Sequence, residues 1–515
     1  MKVTKLLLCL LTLSLVGCAT GNRNAYKKLR KSIDDKKIDS AIELVESDNF
    51  YPEKRSKLLK LLELANLHHI KGNYYQSLKK FDQAKELSEK LFTVSISKKA
   101  LAAVTNNNMD NYYGEIYERS IIRFYQALNH YMLYQRGKYE SYSVTKKVKE
   151  GKKTIKKLVK IKSRALSKNE RRTHLAGARA SLLEWDSLLD NYTKMSKGAS
   201  TYKVDLSSRL FGAFIHEQMG TSSDRNIAIG LYEDAKKILF RYYNLYPSFN
   251  GKHKEFATDY SKLHKLSKKK VNKEYVKSTK YAKDLLSYLD AKIKSLKSRK
   301  KSNVTIVIQQ GYVSEKKVRM INFPLPVASM PKGQGLVEFA TRMLTSSQNS
   351  LPSITFELPE VKKKKVKKDI ILVIKDEAGK VVKTAKSVII NPISDIAYQT
   401  LDNKITATYT KIGARLVVKH IAAILAAYET SKKVGEFAAS MVYAASNKAI
   451  AASEQADLRF WSTLPHTVRM GHFNLKPGKY SLFIKSTKKK KFTEYLLKKF
   501  SIKAKQSKLL NLNIM

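Results

Sequence analysis

Few side chains in this chain have types and spacings that could do chemistry, and each set also has a plainer use. Glu115, Glu118 and Arg119 fall on one predicted helix. Two carboxylates three residues apart could move a proton or hold a metal. No second acidic pair or histidine lies nearby in sequence to complete such a site, and Glu115 and Arg119, one turn apart, can form an ion pair. The structural reading of that set is preferred. His68 and His69 are adjacent, so on a helix they point in different directions and do not share an ion. They are read as packing or surface histidines. Asp457, Arg459 and Trp461 alternate as along one face of a strand, which would suit a small polar-aromatic site. The preferred reading is an Asp–Arg pair fixing the segment to a neighbour beneath a buried Trp. Lys362, Lys363, Lys364 and Lys365, followed by Lys367 and Lys368, form a basic tract, and Lys488 to Lys491 form a second. Both suit solvated turns or charge-guarded strand edges, or contacts to lipid or glycan phosphates. There is no Gly-rich phosphate loop, no His-Glu-x-x-His and no nucleophile elbow. The expectation is a candidate binding set of Glu115, Glu118, Arg119, Asp457, Arg459, Trp461, Lys362, Lys363, Lys364 and Lys365, with no catalytic group, metal or cofactor.

The elements that must position them divide the chain in two. Residues 26–299 read as helix after helix, with Pro52 and Pro247 the only prolines. Leu58, Leu61, Leu62 and Ala65 have helical spacing, as do Ile121, Phe124, Tyr125 and Leu128. Gly72 falls where a helix should stop. Leu64, Ala65 and His68 before it, and Tyr74, Ser77, Phe81 and Ala84 after it, follow the pattern of a tetratricopeptide repeat. In such a repeat, small and aromatic positions let two helices pair closely and stack. Weaker copies begin at Ile38, Gly137 and Ala228. After a boundary at Ser298–Asn303, residues 304–515 turn β-rich: Val304–Ile308, Ile354–Leu358, Ile370–Ile374 with a turn at Asp376–Lys380, and Tyr480–Ile484. Within them an Ala-rich stretch at about 393–452 reads as one or two inserted helices. A membrane-inserted helix is the sharper alternative there, but Arg415, Lys419, His420 and Glu429 interrupt it. The expected fold is α+β multidomain: an N-terminal tetratricopeptide-like α-solenoid, then a β-sandwich-like domain with an inserted helical segment.

The formal net charge is +55 over 515 residues, so anionic partners are attracted. Lysine is spread over every region, which favours compositional bias over a dedicated site. No nucleic-acid recognition module is visible, and nucleic acid is not expected as a partner. Of the two cysteines, Cys9 lies in the apolar leader and Cys18 follows it, which leaves no pair for a disulfide.

Leu15-Val16-Gly17-Cys18, after basic Lys2 and Lys5 and the apolar run from Leu6, resembles the lipobox of bacterial lipoproteins. The resemblance implies a signal peptide over 1–17, lipidation of Cys18, a linker over 18–25 and an extracytoplasmic body. Ala19, where an Asp would favour inner-membrane retention, implies the outer membrane. Three further stretches carry a wider resemblance: Asn111–Arg119 continuing to Asn129, Gly230–Ala235, and Glu454–Pro465 with Leu475–Tyr480. The chain resembles a widespread family of uncharacterised bacterial lipoproteins with tetratricopeptide-like helices ahead of a β-rich end. That implies an envelope location and a helical scaffold, and carries over no catalytic residue. The functional expectation is a lipid-anchored envelope scaffold that binds partner proteins. A binder of anionic envelope polymers such as lipopolysaccharide or acidic glycan is the alternative, and an envelope hydrolase ranks third.

Overall fold

The structure, a computed structural model, describes residues 23–47, 49–51, 54–99, 111–150, 153–195, 201–243, 246–249, 280–299, 303–324, 335–344, 353–364, 366, 369–488 and 491–514. It is an α+β fold, with helices predominating in the N-terminal half and strands in the C-terminal half. The leader, Cys18, Lys365, Lys367, Lys368, Lys489 and Lys490 lie outside the described residues, as do residues 254–279 of the one or two helices expected over 254–299.

The helical half comprises α1 (Arg23–Asp34), α2 (Ile38–Glu46), α3 (Lys57–Lys71), α4 (Tyr74–Lys99), α5 (Ile116–Arg136), α6 (Lys168–Met195), α7 (Leu206–Met219), α8 (Ser222–Tyr242) and α9 (Lys280–Lys297). The linker expected to run to residue 25 is already helical from Arg23, because Tyr26, Leu29 and Ile33 recur at helical spacing and are buried. Gly72 ends α3 in the left-handed region (φ 85°), where a side chain would be strained, and turns the chain into α4. The pair then closes on small and aromatic residues. Ala65, Ser77, Phe81 and Ala84 are fully buried, and Ser77 Oγ donates to the carbonyl of Ala65 at 2.7 Å. The buried side chain of Asp205 caps α7 by accepting from Ser208 N–H at 2.9 Å.

The expectation of unbroken helix fails between α5 and α6. There β1 (Lys138–Tyr139) pairs with β4 (Arg164–Ala165), and β2 (Tyr142–Glu150) pairs antiparallel with β3 (Lys153–Ile161). Val144, Thr145, Val148, Thr154, Ile155, Val159 and Ile161 are β-branched, and that propensity outweighs the helical reading of a lysine-rich stretch.

The C-terminal half holds two four-stranded sheets. The first has the order β10 (Val388–Asn391), β11 (Pro465–Phe473), β5 (Val304–Tyr312), β14 (Lys508–Ile514), with β14 parallel to β5. The second has the order β13 (Lys491–Ile502), β12 (Gly478–Lys488), β8 (Ile370–Lys375), β9 (Val381–Lys386). Period-2 alternation divides the faces of β5. Val304, Ile306 and Ile308 meet Ile370, Leu372, Ile374, Leu482 and Ile484 of the second sheet in one buried cluster. Gly471 lets the sheets approach, since a Cβ there would lie 2.4 Å from Leu372 Cδ1. The opposite face of the first sheet, with Val307, Val468, Met470 and Leu509, joins the core of the helical half. The helical half and the first sheet share that core.

A third cluster gathers α10 (Leu336–Leu344), the antiparallel pair β6 (Lys316–Pro324) and β7 (Ser353–Val361), α11 (Ile393–Val434) and α12 (Glu436–Ser453). Arg415 and Lys419 of α11 both bond Glu454, and Arg415 and Glu454 are buried. Among the described residues no helix is long and apolar enough to cross a membrane.

Candidate functional site

Two sets of residues far apart in sequence meet where the segment 455–463 crosses the helices. Glu118, in the first turn of α5, is buried. Its Oε1 accepts the backbone N–H of Trp461 at 2.8 Å, and its Oε2 accepts the N–H of Glu115 at 2.9 Å and the hydroxyl of Tyr112. Glu63, in the middle of α3, takes the next two residues. Oε1 accepts both N–H and Oγ–H of Ser462 at 2.7 Å. Oε2 accepts the N–H of Thr463 at 3.1 Å and its Oγ–H at 2.5 Å. Asn66 Nδ2, one turn on, donates to the carbonyl of Thr463 at 2.8 Å. From α1, the Arg30 guanidinium donates to the carbonyl of Ser462 at 2.8 Å. Three successive backbone N–H groups thus end on carboxylates rather than on a neighbouring strand.

That explains a departure from the sequence reading. Asp457, Arg459 and Trp461 are not strand residues: the N–H of Trp461 goes to Glu118 and that of Arg459 to Asp457 Oδ1, where a strand would send them to a neighbouring backbone. Arg459 grips Asp457, with Nε 2.9 Å from Oδ1 and Nη2 2.8 Å from Oδ2, and its guanidinium lies 5.5 Å from the centroid of Tyr112. Trp461 is fully buried against Phe81 and Tyr125, and its Nε1–H donates to Thr463 Oγ1 at 3.0 Å.

The expected Glu115–Arg119 pair is replaced. Glu115 accepts Lys404 Nζ at 2.7 Å and Lys316 Nζ at 3.4 Å. Burial raises its pKa, but the two ammonium groups outweigh that and bring it down to about 2. Arg119 lies over Phe92, 3.9 Å from the ring centroid. Burial and the neighbouring Arg123 lower it to about 10. Burial also raises Glu63 and Glu118, against the pull of their hydrogen bonds.

A second buried network lies deeper. His69 Nδ1 sits 2.6 Å from Asn129 Oδ1, and its Nε2 is 2.8 Å from both Gln309 Nε2 and Asn511 Nδ2. Two amide donors at Nε2 require that nitrogen to accept, so the neutral ring carries its proton on Nδ1. Burial holds the imidazole down at about 4, consistent with that form. Tyr125 donates to Gln309 Oε1 at 2.8 Å, which ties α3, α5, β5 and β14 together.

Of the lysine tract, Lys362, Lys363 and Lys364 are exposed on the connection from β7 to β8. Lys364 Nζ donates to the carbonyl of Tyr312 at 2.7 Å, and Lys363 Nζ lies 5.0 Å from the ring of Tyr398.

The sequence reading missed Glu63, Asn66 and His69 as interface residues. One signal was present: an acid inside the apolar run Leu61-Leu62-Glu63-Leu64-Ala65, where a solvent-facing glutamate is out of place. Chemically, Glu63 and Glu118 are acceptors already filled and closed to solvent, which suits holding a backbone in place. Among the described residues no group of three or more His, Cys, Asp or Glu could hold a metal ion. Compared with protein-family models, curated proteins and solved structures, the chain matches none.

Proposed function

We propose that this protein is a lipid-anchored scaffold of the bacterial cell envelope. Its helical half would be a tetratricopeptide-like stack that offers a surface to partner proteins. Its stacked sheets would be a β-sandwich. Its anchor would be an acylated Cys18 in the outer membrane, with the body facing the periplasm. The observation that carries the scaffold reading is the filled polar junction. Glu63, Glu118 and His69 use their polar atoms to lock the helices to segment 461–463, β5 and β14. A body joined by a shared core and satisfied buried polar groups keeps its surfaces at fixed separations, as an adaptor between partners requires. The helix pair around Gly72, with its buried Ala65, Ser77, Phe81 and Ala84, supports the repeat reading.

The anchor is tested by Cys18→Ser. The variant should leave the membrane fraction after a carbonate wash while the parent stays. Retention of both would overturn the anchor. The scaffold is tested by crosslinking in intact envelopes, where the same partner should recur in independent captures. Failure to find one would sink it.

A second reading is binding of anionic envelope polymers, favoured by the exposure of Lys362–Lys364. Affinity for lipopolysaccharide should then fall steeply with salt and on replacing these three lysines by glutamine. Indifference to both would remove this reading.

A further inference from the structure

The long helical hairpin ends in side chains that the fold does not use. α11 is 42 residues long, or about 63 Å at 1.5 Å per residue. Its Lys404 is held at the helical half by Glu115, and the helix continues for about 45 Å beyond it, flanked by β7, α10 and α12. Gly435 alone joins it to α12. Beside that turn Val434 is 72 %, Phe437 82 % and Met441 56 % exposed. Phe437 and Met441 lie one turn apart and share a helix face. The acids at this tip each have a cation: Glu429 bonds Lys432 at 3.1 Å, and Glu436 bonds Arg342 at 3.3 Å. Lys433, also exposed, adds positive charge.

We infer that this tip docks on the surface of an anionic lipid bilayer, with Val434, Phe437 and Met441 entering between the headgroups and Lys433 meeting their phosphates. Three arguments select that occupant. The three side chains offer on the order of 400 Å², about half the ~800 Å² per partner of a specific protein interface. A second copy would bring another +55 against the first, whereas an anionic surface attracts that charge. An apolar tip carrying a cation at the end of a projecting element matches the chemistry of shallow interfacial insertion. The inference goes beyond the scaffold reading and requires neither an acylated Cys18 nor a protein partner.

The test uses the full chain carrying Cys18→Ser, so that no acyl chain competes. Trp185 and Trp461 are both fully buried and give a constant background. Phe437→Trp places a reporter at the tip. Val418→Trp places one at another exposed position of α11, about 24 Å back along the helix. With phosphatidylglycerol–phosphatidylcholine vesicles the tip reporter should shift to shorter wavelength and be quenched by brominated lipid, and the Val418→Trp reporter should not change. Vesicles of phosphatidylcholine alone should leave both unchanged. Lys433→Glu should weaken the vesicle affinity by about fivefold or more. Equal shifts at both positions, no shift at the tip, or a tip shift that follows protein concentration without vesicles would each overturn the proposal. The last outcome would assign the tip to a second copy.

Discussion

Glu63 is a single side chain on which four donors of two consecutive residues converge, all within 3.1 Å. Replacing it with alanine leaves those buried donors without an acceptor, at a cost of about 3 kcal/mol or more. The unfolding midpoint in urea should fall accordingly, and Glu63→Gln, which keeps one acceptor oxygen, should fall less. An unchanged midpoint in the alanine variant would remove the junction from the account of stability. Asp395 tests the electrostatics of burial at a second position. It is buried, accepts the N–H of Ser248 at 2.7 Å, and is raised by burial to about 6. Because its folded value lies above its unfolded one, its contribution is present below the unfolded value and is lost as pH rises through about 6. Asp395→Asn keeps an acceptor for Ser248 and removes the titration. Relative to the parent, the variant should therefore gain stability as pH rises from about 4 to about 6, by up to about 3 kcal/mol. A difference that stays flat across that window would refute the assignment.

At the scale of elements, the close approach of the two sheets depends on the absence of a side chain at Gly471. Alanine there would collide with Leu372 Cδ1 and force the sheets apart or Leu372 off its rotamer, costing about 1–3 kcal/mol. The same substitution at Gly230, where a Cβ meets nothing within 4 Å, should be near neutral or stabilising. Thermal unfolding of the two variants checks both. Elements were also where the sequence was easiest to read. The turn at Gly72, the β8–β9 hairpin around Asp376–Lys380 and the helices within residues 393–453 follow from local patterns of 3.6 and 2 and from turn residues. The β2–β3 hairpin was lost because its lysines obscured the β-branched pattern. Glu118 and Trp461 were both picked out, but their contact was not, since it spans 343 residues and no local period encodes it. The same holds for His69, whose partners Gln309 and Asn511 are 240 and 442 residues away. Polar residues on helices read as surface until the element that buries them is known.

At the scale of the molecule, one face of the first sheet belongs to the core of the helices and the other to the core of the second sheet. Neither half can expose its side of that sheet to water without losing a large apolar area. Calorimetry should therefore show the helical half and the first sheet melting in a single transition. A helical fragment ending near residue 299 should be aggregation-prone or molten rather than independently folded. Two well-separated transitions, or a stable monomeric fragment with native near-ultraviolet dichroism, would show instead that the halves are autonomous.

The parallel placement of β14 beside β5 has a consequence for how the chain is made. The strand that lays Asn511 against His69 and Leu509 into the helical core emerges from the ribosome after all the helices and after every other strand described. Until it arrives, part of the apolar surface of α3 and α5 has no cover, and the imidazole network lacks a donor. Closure of that face must therefore wait for β14, and a chain interrupted just before Lys508 should hold its helices with that side of α3 and α5 open to any apolar surface it meets.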